Sequence, residues 1–345
     1  MNKKIFTGVD FFKCMAALGV VAIHTRAPIF NVFGRLGVPF FAIISGMFFF
    51  SKYIYLDSKD KKKKYLFKYL KRIFLLYLTW QVIYIPFVIK NILYYKKNNY
   101  DLITFIWRFI FPGYGYSTSN HFIAGTNGWG VSWYLIALLM GLPLLCLLLK
   151  YINNMMFIGI ISIGIEILYI LNSGYFYITH FHIWGILAFP RIFIYLFIGL
   201  VISRNLNLVE QINIYKLIVI LIIFMSLFFA ENYFIYLHSG NIVSEEVITT
   251  VPTSTLVVLL SLKLNLNVDT LTLREFSIFL YTSQILFIFV LQHTIFKNNY
   301  VLTNYLEFFT VVLLAYLAMK LCFSLKDKFN IVVLNFKNKL ATKLK

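Results

Sequence analysis

The residues with the clearest chemical capability lie in the first apolar segment, about residues 9–28, which contains Lys13 and His24. A histidine can take a proton from a hydroxyl group at neutral pH, because the pKa of an unperturbed imidazole is about 6.5. Eleven residues of α-helix turn through about 1100°, so the two side chains project within roughly 20° of each other, about 16 Å apart along the axis. Asp10 lies one turn before Lys13 and can pair with it. We therefore predict a polar stripe that lines a water-filled cavity.

Ionisable side chains inside apolar segments cost several kcal/mol and are candidates for function. For His24 the alternative is a histidine that is merely hydrogen-bonded near the lipid headgroups. Glu166 can partner Arg191 or His24, or form a purely structural ion pair. Arg191 is expected to need a carboxylate, a backbone carbonyl or a ligand phosphate, and Glu231 is a candidate for orienting His24.

Several aromatic side chains have two possible interpretations. Trp129, Trp133 and Tyr134 fit an aromatic belt at the membrane surface, or a platform on which an acceptor sugar stacks. His180 and His182 are spaced to hold a metal, but no third ligand accompanies them and they fit an ordinary loop. The three cysteines, Cys14, Cys146 and Cys322, are far apart, so neither a metal site nor a disulfide framework is predicted.

The composition identifies the environment in which these residues act. The chain has 345 residues, of which 60% are hydrophobic and only 13% are charged, against about a quarter charged in soluble domains. This excludes a soluble enzyme, a disordered chain and a nucleic-acid-binding module. The net charge of +19 comes from 32 Lys and Arg against 13 Asp and Glu, and it indicates topology and not a nucleic-acid partner.

The hydropathy pattern predicts an all-α fold, a polytopic integral membrane bundle of about ten transmembrane helices, because each apolar run approaches the length of a span. The piece at 102–112 is too short to cross. The predicted runs are 9–28, 34–51, 73–90, 132–149, 155–171, 183–202, 214–232, 250–263, 275–293 and 303–324.

The distribution of Lys and Arg predicts that both termini lie in the cytoplasm. The abundance of Ile, Lys, Asn and Tyr suggests an AT-rich bacterial genome, so we expect the chain in a bacterial plasma membrane. The basic block Lys59–Arg72 is interpreted as a topology anchor attracted to anionic membrane lipids, or as a loop that also steers an anionic nucleotide-bearing thioester. We divide the chain into a transmembrane domain, 1–325, and a basic cytoplasmic tail, 326–345, which we expect to lie against the inner leaflet.

Two consecutive blocks resemble the opening of the membrane-bound acyltransferase 3 family: KCMAALGVVAIH (Lys13–His24) and RLGVPFFAIISGMFFF (Arg35–Phe50). That family typically has an Arg, ten residues and a His, followed by an Arg-containing segment that ends in a Phe-rich Ser-Gly turn. Three later blocks are similar to its other spans: GWGVSWYLIALL, FPRIFIYLFIGL and SIFLYTSQILFI. The chain departs from the family pattern at Lys13, usually Arg, and at Gln284, where many members have His.

The resemblance implies transfer of an acyl group, commonly acetyl, from cytosolic acyl-coenzyme A to a hydroxyl of an extracytoplasmic polysaccharide or lipid-linked sugar. His24 would be the base or a transient acyl carrier, and Lys13 would assist at the thioester. Arg35 would be a structural or phosphate-facing cation near the outer mouth. Trp133, Tyr134 and Tyr281 are assigned to substrate binding. The resemblance implies no tightly bound cofactor, with acyl-coenzyme A as a substrate.

Two other functions remain open. The chain looks most like Gram-positive members of the family, which include membrane domains that are fused to amino-acid racemases and assigned to uptake. A transporter or exporter of a small amino acid or sugar intermediate would use the same polar residues. The third possibility is an inactive relative with a scaffolding role, which the departures at Lys13 and Gln284 allow.

Overall fold

The computed structural model describes residues 6–97, 102–110, 127–152, 154–181, 189–240, 246–296 and 301–343. These residues form α-helices and two short 3-10 turns, Gly130–Ser132 and Phe189–Ile192, without a β-strand in the described ranges. The helices are α1 (Thr7–His24), α2 (Phe30–Gly34), α3 (Gly37–Tyr53), α4 (Lys59–Ile83), α5 (Ile85–Lys97), α6 (Leu102–Ile110), α7 (Trp133–Tyr151), α8 (Met155–Asn172), α9 (Phe176–Thr179), α10 (Phe193–Arg204), α11 (Leu206–Gln211), α12 (Ile214–Ser239), α13 (Thr250–Lys263), α14 (Thr270–Thr294) and α15 (Val301–Lys343).

The predicted helical membrane bundle is confirmed, because seven helices are long and apolar enough to cross a membrane. The bent pair α4 and α5 raises the number to eight if it counts as one span. The runs 183–202 and 250–263 correspond to α10 and α13, with 12 and 14 residues. Helices of that length reach about 18–21 Å, less than the roughly 30 Å of a hydrocarbon core. The number of spans therefore stays a prediction, and residues 182–188 lie outside the described ranges.

The third predicted run, 73–90, is not one straight helix. Instead, α4 and α5 meet at an angle of 66°. Pro86 stands in the first turn of α5 and has no N–H to donate, and its ring disfavours a helical conformation in the residue before it. Ser58 caps the N-terminus of α4, because its hydroxyl accepts a hydrogen bond from the Lys61 amide at 3.2 Å.

The first helix lies at the centre of the bundle. It packs against α2, α3, α13, α14 and α15. Helices α3 and α10 also pack closely. Gly199 of α10 allows this approach, because a Cβ at this position would lie 2.3 Å from the carbonyl oxygen of Ile43. One side of α1 is therefore packed against other helices, whereas Met15 on α1 is 49% exposed.

The outermost long helices are α12 and α15. Only 11% of the apolar stretch of α12 and 22% of that of α15 is buried inside the protein. Such faces suit contact with lipid tails. The backbone of α15 continues as a helix to Lys343, through most of the predicted tail.

Candidate functional site

Asp10 is the centre of a charged cluster at the N-terminal end of α1. Its carboxylate is buried, and Arg274 of α14 donates two hydrogen bonds to it, at 2.8 Å from Nη2 and 3.4 Å from Nε. The expected contact with Lys13 is present, with 3.6 Å between Lys13 Nζ and Asp10 Oδ1. Arg274 is the partner that the sequence analysis missed. The usable signal was its place immediately before the apolar run 275–293, at the same predicted end of the bundle as Asp10.

Two further contacts define the surroundings of Lys13. Its ammonium lies 5.1 Å from the centre of the Phe48 ring on α3, a cation–π contact. Arg72 of α4 and Arg274 are close enough for their charges to act on Lys13. Lys13 and Arg274 thus contact the Asp10 carboxylate, with Arg72 near Lys13, and we call this group of four residues the basic end of α1. Three cations against one carboxylate leave an excess of positive charge there.

His24 occupies the opposite end of the same helix. It is the last residue of α1 and is half-buried. Arg35, between α2 and α3, is close enough for its charge to act on the imidazole, and Arg35 Nη2 donates to Asn31 Oδ1 at 2.8 Å. The imidazole makes no hydrogen bond to any residue in the described ranges. The ring nitrogens of His24 are therefore not engaged by another side chain or backbone group of the described residues.

The water-filled stripe expected between Lys13 and His24 is wrong for this conformation. Val20 projects within about 40° of both side chains, yet it is buried, as is Ala17. Beside them the backbones of α1 and α2 almost touch, because a Cβ on Gly34 would lie 2.2 Å from the carbonyl oxygen of Gly19. The face therefore has polar ends and a packed apolar middle.

Two cavities in the described part of the protein lie away from this face. One has a volume of about 60 Å³ and lies between α11 and α13. The other is an open groove of about 520 Å³ on the surface of α4. Neither is lined by Lys13 or His24, so neither connects the two ends of α1.

The segment that follows His24, residues 25–29, is held in an unusual conformation. Arg26 and Ile29 have φ values of 55° and 51°, which non-glycine residues rarely adopt. The first turns of α15 hold the segment in place: Asn304 Nδ2 donates to the Arg26 carbonyl and the Tyr305 hydroxyl to the Pro28 carbonyl, each at 3.2 Å. We call residues 25–29 the α1–α2 link.

Arg191 has the carboxylate partner that the sequence requires, but it is Glu246. Arg191 Nε lies 3.7 Å from Glu246 Oε1, and its guanidinium stacks 3.8 Å from the centre of the Trp133 ring. Glu166 lies close to both Arg191 and Glu246 and accepts a hydrogen bond from the Tyr195 hydroxyl at 3.3 Å. These contacts form a second buried polar cluster, and none of them involves His24.

The structure contradicts the proposed orienting role of Glu231. Its carboxylate accepts hydrogen bonds from the amides of Ile248 and Thr249 at 2.9 Å, and also from the hydroxyls of Thr249 and Tyr175. Burial, and then the Glu231 carboxylate, raise the pKa of the Tyr175 hydroxyl, so it stays protonated and donates. Glu231 thus ties α12 to the residues just before α13 and, through Tyr175, to the start of α9.

Two of the three residues assigned to substrate binding are packed inside the bundle. The Tyr134 hydroxyl lies 3.1 Å from Ser45 Oγ, and the Tyr281 hydroxyl donates to the Val131 carbonyl at 2.5 Å. Both rings pack against Phe41. Trp133 is half-buried, with Arg191 on one face. A sugar-stacking role is thus geometrically open to Trp133 alone among the three.

Two further residues from the sequence analysis, Trp129 and Gln284, are also placed by the structure. Trp129 is fully buried and stacks on Tyr84 at 5.4 Å between ring centres, so it does not belong to a surface belt. Gln284 is buried, and its amide donates to the Tyr281 carbonyl at 3.0 Å. His182 lies outside the described residues, which contain no group of three metal-ligating side chains.

Comparison with known proteins gives two matches. A family model described as an acyltransferase domain matches residues 6–324. An amino-acid racemase of Enterococcus faecalis is 32% identical over 142 residues, which make up 38% of this chain but only 19% of the racemase. The chain therefore matches about a fifth of the length of that relative. No solved structure matches it.

Proposed function

Since the chain belongs to the acyltransferase 3 family of membrane proteins, we propose that it transfers an acyl group, acetyl in the simplest case, from acyl-coenzyme A to a hydroxyl of an extracytoplasmic polysaccharide or lipid-linked sugar. The proposal places the chain in a bacterial plasma membrane with both termini in the cytoplasm. The donor then approaches the basic end of α1, and the acceptor approaches His24.

The main support is the separation of two kinds of chemistry along α1. The basic end offers an excess of positive charge, with Arg274 still 47% exposed while it holds Asp10. Guanidinium groups bind phosphates through paired hydrogen bonds, and Lys13 beside them supplies a further cation. This combination suits the phosphates and the thioester-bearing arm of an acyl-coenzyme A.

At the other end, His24 has the freedom that a general base needs. Its imidazole takes the proton of the acceptor hydroxyl as the hydroxyl oxygen bonds to the thioester carbonyl carbon. The carbon–sulfur bond then breaks, and the coenzyme leaves as a thiol after its sulfur receives that proton from the imidazolium. Arg35 stabilises the negative charge that develops on the carbonyl oxygen. The reaction gives an ester and free coenzyme A.

The closed middle of α1 adds a requirement to this proposal. Val20 and the contact of Gly19 with Gly34 fill the space between the basic end and His24. The helices around α1 must therefore part for the thioester to reach the imidazole. Movements of packed helices of this kind take microseconds to milliseconds, which is compatible with ordinary turnover.

The decisive test is His24→Ala with His293→Ala as a matched control. His293 is exposed, and its ring bonds to the Phe289 carbonyl of its own helix. We expect loss of the base to lower acyl transfer by about 100-fold or more, measured as O-acetyl content of envelope polysaccharide and as transfer from labelled acetyl-coenzyme A. His293→Ala should be unaffected. Retained transfer in His24→Ala at normal abundance would remove His24 as the base.

Transport of a small amino acid is a second candidate function, which the resemblance to racemase-fused membrane domains raised and the partial match to an amino-acid racemase keeps open. The buried cluster of Glu166, Glu246 and Arg191 offers both charges that a zwitterion needs. Uptake of labelled amino acids into vesicles, measured beside transfer from labelled acetyl-coenzyme A, distinguishes the two. Uptake that depends on Glu246 without any acyl transfer would favour the transporter.

A further inference from the structure

The first half of α4 carries a row of cations that the protein leaves unpaired. Lys63, Lys64, Lys68 and Lys71 are exposed and have no carboxylate partner within the described part of the chain. Neighbouring lysines, by contrast, form an ion pair or cation–π contacts within the protein. Those contacts are Lys61 to Asp57 at 3.4 Å, and Lys52 and Lys62 over the rings of Tyr65 and Tyr53. The unpaired cations are therefore available to a partner outside the chain.

An exposed aromatic ring lies among these cations. Lys63, Lys64, Phe67 and Lys71 project within an arc of about 100° on the helix, and Phe67 is 69% exposed. Further along the same arc the exposed residues are apolar, beginning at Phe74 and continuing with Leu78. One face of α4 thus changes from cationic to apolar within about one turn, as a helix does where it passes from headgroups into hydrocarbon.

The cationic part of this face contains the open groove of about 520 Å³. Leu66, Phe67 and Leu70 line it together with Lys63, Lys64 and Asp60. The groove therefore combines apolar side chains with ammonium groups. An elongated molecule with a phosphate at one end and a hydrocarbon chain at the other would match both parts.

We propose that this face of α4 is a binding site for an anionic phospholipid of the adjacent leaflet. The phosphate contacts Lys63, Lys64 and Lys71, and an acyl chain runs over Phe67 towards Phe74. Charge complementarity supports an anionic headgroup. The continuous apolar face below the cations supports a lipid over a water-soluble anion.

The site is distinct from the basic end of α1. Arg72, the cation of α4 that acts on Lys13, projects about 100° around the helix from Lys71. A donor held at the basic end would thus occupy a different side of α4 from the groove. The inference is independent of the proposed acyl transfer.

The test uses the full-length protein in detergent micelles and counts bound phosphatidylglycerol and phosphatidylcholine by native mass spectrometry. We expect preferential retention of phosphatidylglycerol. Lys63→Gln, Lys64→Gln and Lys71→Gln combined should weaken it by about 100-fold, at roughly five-fold per lysine. The same positions changed to Arg should keep binding, and Phe67→Ala should weaken both lipids. Circular dichroism verifies that each variant is folded.

A matched control removes three lysines elsewhere. Lys150, Lys216 and Lys320 are exposed on three other helices, and their combined change to Gln alters the net charge equally. Equal losses in the two triple variants would overturn the site, since general attraction would then explain binding. Displacement of phosphatidylglycerol by acetyl-coenzyme A, with the same dependence on Lys63, Lys64 and Lys71, would assign the groove to the donor and also overturn the proposal.

Discussion

At the scale of single residues, the two partners of the ion pair between Asp10 and Arg274 differ in exposure to solvent. The Asp10 carboxylate is almost fully buried, whereas 47% of the Arg274 side chain is exposed. Removing either partner breaks the same contact but leaves a different group behind. A buried carboxylate without its main partner is costly, while an exposed guanidinium is solvated by water.

We therefore predict that Arg274→Gln destabilises the protein more than Asp10→Asn. The expected losses are about 3 kcal/mol for Arg274→Gln and about 1 kcal/mol for Asp10→Asn. The double variant should resemble Asp10→Asn, because the buried carboxylate that Arg274 neutralises is absent from both. Denaturant titration in mixed micelles measures the free energies of unfolding.

Arg204→Gln is the control for this pair of variants, since Arg204 is exposed at the end of α10 and has no ion pair within the described residues. It should change stability by less than about 0.5 kcal/mol. Equal losses for Arg274→Gln and Asp10→Asn would contradict the asymmetry.

At the scale of secondary-structure elements, the packing of α1 against α2 depends on a backbone contact. The Gly19 carbonyl occupies the place that a Cβ of residue 34 would need. Since backbone atoms on both sides cannot rotate away, the helices must move apart to accept any side chain.

Gly34→Ala is therefore expected to destabilise the protein by about 2 kcal/mol or more. Gly164→Ala is the matched control, because a Cβ on this glycine of α8 would meet nothing within 4 Å. The control should be neutral or stabilising by up to about 1 kcal/mol, since alanine favours helix. Thermal unfolding followed by tryptophan fluorescence compares the two, and a neutral Gly34→Ala would show that α1 and α2 can separate cheaply.

The α1–α2 link is a second element whose conformation depends on a distant helix. Two non-glycine residues with positive φ cost about 1–3 kcal/mol each, and hydrogen bonds from α15 offset part of that cost. Because His24 immediately precedes the link, its position depends on the same contacts.

We predict that Asn304→Ala and Tyr305→Phe loosen the link. The Ala27 amide, which donates to the Ala22 carbonyl, should exchange its hydrogen about five-fold faster for each bond lost. Acyl transfer should fall in both variants, and hydrogen-exchange mass spectrometry provides the first readout. Tyr316→Phe changes the same helix away from the link and should leave both measurements unchanged. Unaltered exchange in both link variants would show that α15 does not hold this segment.

At the scale of the whole molecule, the functional argument depends on which side each end of α1 faces. The excess of Lys and Arg predicts that the basic end lies in the cytoplasm, where acyl-coenzyme A is available, and that His24 lies near the outer surface. A reversed orientation would place donor and acceptor at the wrong ends of the helix.

Cysteine labelling in intact cells tests this orientation. The background carries Cys322→Ser, because Cys322 is exposed and the other two cysteines are buried. Ser58→Cys, at the start of α4, should react with a membrane-impermeant maleimide only after lysis. Tyr177→Cys, between α8 and α10, should react in intact cells. The opposite pattern, or labelling of both from one side, would reverse or refute the proposed topology.

Much of the architecture followed from local sequence properties. Lengths of apolar runs predict membrane helices, and the 3.6-residue period predicts that Asp10 lies beside Lys13 and that His24 shares their face. These features depend on residues within a few turns of each other, so no knowledge of the partners was needed.

The partners themselves depended on tertiary structure. Arg274 reaches Asp10 across 264 residues, Glu246 and not Glu166 forms the ion pair with Arg191, and Glu231 binds the start of α13. Tertiary structure also determines that the middle of α1 is tightly packed, because Gly19 approaches Gly34 of α2 there. Helical periodicity determines which residues share a face, but what opposes that face depends on how segments far apart in the chain pack around it.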